Sequence, residues 1–173
     1  MRSCWMNIEK LFLDTNLLEN KYNYFVKKRL LRKIQPSPDL ITAHIKKAGH
    51  NMMFFEKNKN DSEFNDWLIV VLYYALYHAV LALIVNKNYV SKNHTASLVF
   101  LIKHYCLEKE DIQLLNELSF KKEDAEFYTQ LKKDRQKANY ESKISFTNEQ
   151  IKNYKLKVTE LIQKIEFLID EDI

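Results

Sequence analysis

This chain has a single glycine and two prolines among its 173 residues. A phosphate-cradling loop needs glycine wherever the backbone must approach a ligand closely, so the P-loop and the GxGxxG dinucleotide fingerprint are both excluded. Tight β-hairpins also lean on glycine, which argues against an all-β fold. Gly49 stands in no glycine-rich context. The two cysteines, Cys4 and Cys106, are isolated and lack a CxxC partner, so a zinc ribbon or thioredoxin-type site has no support. Unpatterned cysteines of this kind suit a reducing cytosol as free thiols. The opening residues carry Glu9 and Asp14 where a secretory signal would need an unbroken apolar stretch, and the expected location is cytoplasmic.

What is present is an uncharged run. Residues 67–85 read WLIVVLYYALYHAVLALIV, nineteen positions without a formal charge. That length meets the threshold of about 18 apolar residues for a membrane helix. Tyr73, Tyr74, Tyr77 and His78 lie at its centre, however. Membrane helices place tyrosine near the interfaces and rarely hold a central histidine. No basic block flanks the run, and the mean hydropathy of the chain is −0.41. A helix apolar on nearly every face is then expected at the centre of a helical protein, enclosed by its neighbours and not by lipid.

Hydrophobic residues make up 46% of the chain and charged ones 29%, which describes a globular protein long enough for one full core. A net charge of +4 permits a nucleic-acid partner without demanding one. Helical spacing of Leu11, Phe12, Leu18, Tyr22, Phe25, Val26 and Leu30 predicts a first helix over residues 7–33, with a basic end that complements the helix dipole. Ser37 and Pro38 mark the start of a second helix running to about residue 55. The apolar run follows over roughly 63–85, then a turn at Asn86–Asn88 and a helix capped by Ser91. A further helix is expected from near Lys109, interrupted around Ser119–Phe120, to about Tyr140. Thr147 and Gln150 form a capping box that opens the last helix. The expected architecture is all-α: an up-and-down bundle of about five helices over residues 37–173, led by a helical extension over residues 1–36.

In this order three short motifs stand out. Tyr73-Tyr74-Ala75-Leu76-Tyr77-His78-Ala79 resembles an AYYAxFHA pattern on a central helix. Ser91-Lys92-Asn93-His94 resembles an SKxH element opening the next one. Arg135-Gln136-Lys137-Ala138-Asn139-Tyr140 resembles an RxxADY element ahead of the last helix. Together they resemble the HEPN family (higher eukaryotes and prokaryotes nucleotide-binding), in its small prokaryotic group, over about residues 38–170. The resemblance implies a helical bundle that pairs as a homodimer. It further implies RNA or nucleotide binding in a toxin–antitoxin or defence setting, with a minimal nucleotidyltransferase as protein partner. It brings no cofactor. Several branches of the family are metal-independent ribonucleases whose signature is Arg, four to six residues, then His. Counting from Arg135, that histidine falls at Tyr140, Glu141 or Ser142, and none is histidine. A conventional nuclease mechanism is therefore disfavoured, and binding is expected ahead of catalysis; the alternatives are a metal-independent endoribonuclease in which His94 or His78 substitutes as base, and a purely structural dimerisation domain.

The candidate ligand-binding residues are Arg135, Asn139, Tyr140, Lys132, Lys137, His94 and His78. Arg135 and Asn139 are four apart and share a helical face, and the guanidinium suits phosphate as a bidentate fork. The structural alternative pairs Arg135 with Asp134 or Glu141. His78 sits on an apolar face, where a lone histidine is more often a satisfied core group, yet it has a possible approach to Arg135 across the bundle. His94 opens its helix, either accepting a backbone amide or facing a ligand. Tyr73 and Tyr77 share a face and read more readily as core than as a base-stacking platform. His44 and His50 do not share a face and lack a carboxylate companion, so no metal site is expected.

Overall fold

A computed structural model describes residues 8–105, 120–141 and 144–171. Among these residues the chain forms seven α-helices, one 3-10 turn and one two-stranded sheet. The helices are α1 (Ile8–Leu13), α2 (Thr15–Lys27), α3 (Pro38–Asn58), α4 (Asn65–Asn86), α5 (His94–Tyr105), α6 (Lys122–Tyr140) and α7 (Asn148–Glu171). Strand β1 (Leu31–Lys33) pairs antiparallel with β2 (Tyr89–Ser91), Leu31 opposite Ser91 and Lys33 opposite Tyr89. The all-α expectation holds, with this small ladder as an addition to it.

The apolar run is α4, and it is the axis of the molecule. Leu68, Ile69, Leu72, Tyr73, Leu76, Leu83 and Ile84 are fully buried. The helix packs most extensively against α3, then against α7 and α6, with α5 and β2 also in contact. It is the one helix among the described residues long and apolar enough to cross a membrane by composition, and 72% of its most apolar window is buried inside the protein. A helix with apolar side chains all round needs neighbours all round, and the chain supplies them. At its start Asn65 Nδ2 donates to Phe146 O and Asn148 Oδ1, each at 2.8 Å, tying α4 to the start of α7. Near its end Leu83 O accepts from the Tyr105 hydroxyl of α5 at 3.0 Å.

The first helix does not run to residue 33. Asp14 interrupts it, its carboxylate accepting from Leu17 N at 2.8 Å as the cap of α2. The chain then turns out of α2 through Arg29 at φ 55°, with Arg29 N bonded to Val26 O and Leu30 N to Phe25 O, both 2.9 Å. This is the closure in which a left-handed residue after the helix satisfies its last carbonyls. Glycine usually fills that place, and in a chain with one glycine the role falls to Arg29 here and to Asn88 (φ 61°) after α4. Leu30 continues the helical spacing but belongs to the exit, which is why periodicity overran the end. The leading segment is not set apart from the bundle, since Leu11, Tyr22, Phe25 and Leu31 join the same core as α4.

Two expected caps differ in detail. Ser37 holds the cap position of α3 without a side-chain capping bond, and Pro38 and Asp39 form its first turn. Helix α5 is capped by Asn93, whose Oδ1 accepts from Thr95 N at 2.9 Å and Ala96 N at 3.0 Å, while Ser91 Oγ bonds to Ser97 Oγ. The Thr147–Gln150 box is present: Thr147 N donates to Gln150 Oε1 at 2.9 Å and Gln150 N to Thr147 Oγ1 at 3.2 Å. The expected helix from Lys109 to Ser119, with Cys4 and Cys106, lies outside the described residues.

Candidate functional site

Helix α6 is polar overall yet buries two adjacent charged residues, Asp134 and Arg135. They face different neighbours. Asp134 accepts from Gln130 Nε2 at 2.9 Å and from the Tyr154 hydroxyl of α7, and Lys137 stands 3.4 Å away. Its charge is thus fully engaged, and it also pushes the Tyr154 hydroxyl pKa up, after burial itself. Arg135, only 9% exposed, turns towards α4. Its guanidinium carbon lies 5.0 Å from the centre of the Tyr73 ring and 5.7 Å from that of Tyr74. Among the described residues no carboxylate pairs with Arg135, and its Nε is buried without a hydrogen-bond partner. The alternative in which Asp134 or Glu141 neutralises it is not what the fold adopts.

A buried cation without an anion is costly, because leaving water is repaid only by a counter-charge and full hydrogen bonding. Contact with two aromatic faces offsets part of that, about 0.5–2 kcal/mol per contact. The remainder of the surroundings is also short of negative charge. Lys132, one helical turn before Arg135, is half-buried, and its Nζ donates to Thr95 Oγ1 at 3.2 Å. Burial, then the Arg135 charge, pull the Lys132 pKa down. His94, at the start of α5, shares a hydrogen bond through Nδ1 with the Tyr73 hydroxyl. Burial, then Lys132, then Arg135 hold the His94 pKa down at about 4, so it is neutral at physiological pH. Tyr77 stacks nearly parallel on Tyr73 and sits 4.2 Å from the His94 ring. Tyr128 of α6 closes the cluster from below, its buried hydroxyl without a partner among the described residues. Two cations, a neutral imidazole and several hydroxyls converge where three helices meet. Such a set can accept an anion, with donors already oriented.

The structure thus brings Arg135, Lys132 and His94 together. Other candidates stand apart. Asn139 and Tyr140 lie on the exposed end of α6, Tyr140 being 81% exposed, and Lys137 is spent on Asp134. His78 turns to α3, where its Nδ1 lies 3.1 Å from His44 Nδ1. One ring must donate and the other accept, so the two carry different tautomers. Burial lowers both pKa values, and the charges that act on His78 are His44 and Lys47, not Arg135. Tyr73 is fully buried, so the core reading of the tyrosine face holds for it. Among the described residues no three His, Cys, Asp or Glu side chains gather closely enough to hold a metal ion.

Sequence reasoning missed a groove between α3 and α4. It has a volume of about 650 Å³, and its walls include Phe54, Trp67, Tyr74 and His78. Trp67 was assigned to the apolar core run, yet it is 57% exposed. The signal was available in part: α4 positions 67, 71, 74 and 78 form one helical stripe.

No family model matches the sequence, and no curated protein is significantly similar to it.

Proposed function

We propose that this protein is a HEPN-like module that binds RNA or a nucleotide through a phosphate held at Arg135. The observation that carries this reading is a buried guanidinium with no carboxylate partner among the described residues, flanked by Lys132 and a neutral His94. Arginine offers a planar fork that matches phosphate, and a dry setting strengthens the attraction. In this reading the chain works as a cytoplasmic homodimer in a toxin–antitoxin or defence system. A minimal nucleotidyltransferase is its protein partner.

The test is binding of a short fluorescein-labelled single-stranded RNA across a salt series. Affinity should fall with salt, and Arg135→Ala should weaken it at least about tenfold and flatten the log–log slope by about 0.7, the loss of one phosphate contact. Lys132→Ala should act in the same direction. Salt-independent binding, or binding indifferent to both changes, overturns the reading.

A second reading, a metal-independent endoribonuclease, has one observation in its favour: His94 lies beside Arg135 and is neutral, as a general base must be. Its pKa of about 4 makes it a weak base, however, because proton transfer is most effective near the working pH. Binding is therefore preferred over cleavage. RNA cleavage in EDTA that disappears in His94→Ala reverses that preference.

A further inference from the structure

We infer that the α3–α4 groove is a nucleobase pocket that continues the phosphate site at Arg135; this rests on the reading proposed above. Three features of the groove point to a base. Its volume of about 650 Å³ lies within the range of small-molecule sites. Its walls are aromatic, with Phe54, Trp67 and Tyr74 all substantially exposed, and every base has a face that stacks on such rings. Among these rings stands Asn51, whose Nδ2 is buried and without a hydrogen-bond partner among the described residues. A ring nitrogen or carbonyl of a base accepts from such an amide.

Tyr74 joins the groove to the phosphate site. It lines the groove, and its ring centre is 5.7 Å from the Arg135 guanidinium carbon. In the proposed arrangement a base seated against Tyr74 turns its sugar–phosphate towards Arg135. A second copy of this chain is the competing occupant of an aromatic surface. The polar content weighs against it, because Lys47 and His50 also line the groove and interface centres are depleted in charge. Apolar side chains from a second copy would also offer the Asn51 amide no acceptor, whereas a base supplies one.

The experiment uses the full chain carrying Trp5→Phe, which leaves Trp67 as its one tryptophan. AMP and UMP are titrated against Trp67 fluorescence, with a base-free sugar phosphate followed calorimetrically as the comparison. Both nucleotides should quench Trp67, because stacking brings the base against the indole. Phe54→Ala and Asn51→Ala should weaken nucleotide binding about tenfold and leave the sugar phosphate unchanged, whereas Arg135→Ala should weaken both. Phe54 is exposed, so its variant carries the test if Asn51→Ala does not fold. Nucleotide affinity indifferent to Phe54→Ala but lost in Arg135→Ala overturns the pocket and leaves the phosphate site standing. No binding of either probe to the parent protein overturns both. A change in sedimentation from dimer to monomer in Phe54→Ala, at unchanged nucleotide affinity, assigns the groove to self-association and overturns the inference.

Discussion

Asp134 and Arg135 are neighbours in sequence, both buried on α6, and they do not neutralise one another. The carboxylate is satisfied by Tyr154, Gln130 and Lys137, while the guanidinium faces the rings of Tyr73 and Tyr74. Successive helical residues point about 100° apart, so adjacency in sequence does not bring their side chains together.

On the proposed reading Arg135, which pairs with no carboxylate among the described residues, should be dispensable to the fold. Arg135→Met fills similar volume without a charge, so the variant should unfold at a denaturant concentration no lower than the parent's, while losing the RNA binding proposed above. Asp134→Ala should do the opposite. It strips partners from Tyr154, Gln130 and Lys137 and should cost about 2–3 kcal/mol in the same measurement. If Arg135→Met destabilises as much as Asp134→Ala, Arg135 is a structural residue.

Acid should weaken the fold through its buried histidines. His94 is held down at about 4 from an ordinary 6.5, and His44, His78 and His104 are lowered as well, each chiefly by burial. The unfolded chain therefore binds more protons than the folded one below pH 6.5. Stability falls as pH drops from there towards 4, each such histidine adding a slope of up to about one proton. Denaturant midpoints across this window measure the slope. His94→Gln should make it shallower, and an unchanged slope would mean that His94 takes up its proton at the same pH folded and unfolded.

The leading segment should stabilise the whole bundle. Leu11 of α1 is 1% exposed, and α1 packs on α5 and α6. Leu11→Ala should cost about 2–4 kcal/mol, comparable to Leu76→Ala at the centre of α4, in a single cooperative transition. A separate early transition in Leu11→Ala would show that residues 1–36 fold as an independent extension.

Gly49 should be improvable. It lies within α3, and a Cβ added there meets nothing within 4 Å. Gly49→Ala should raise the unfolding free energy by about 1 kcal/mol, since alanine removes the entropic cost of a helical glycine. A loss of stability would indicate that this face of α3 is covered in solution.

Much of the fold was legible because its signals are local. Absence of charge over residues 67–85 marked α4, and the Thr147–Gln150 spacing marked the start of α7. The end of α2 was hidden because Arg29 adopts a conformation usually given to glycine, while Leu30 prolongs the apolar spacing. Three-residue strands are too short to show alternation, so β1 and β2 left no pattern to read. At the candidate site, Arg135, Lys132 and His94 were each named, but their convergence depends on how α4, α5 and α6 pack. The His44–His78 contact spans 34 positions, and comparing His44 only with His50 on its own helix could not find it. Trp67 escaped notice as a groove residue because hydropathy records apolar character and not which face of a buried helix is left open.

Strand β2 leads directly into Asn93 and His94, and Lys92 N donates to Leu30 O at 2.9 Å at the end of the β1–β2 pairing. The leading segment thus splints the entry to α5 and fixes where the imidazole meets Tyr73. Deleting residues 1–36 would uncover Phe100, against which Tyr22 rests, and leave β2 without its mate. A trimmed protein beginning at residue 37 would keep Arg135, Lys132 and His94 yet lose the tether that holds the imidazole in register.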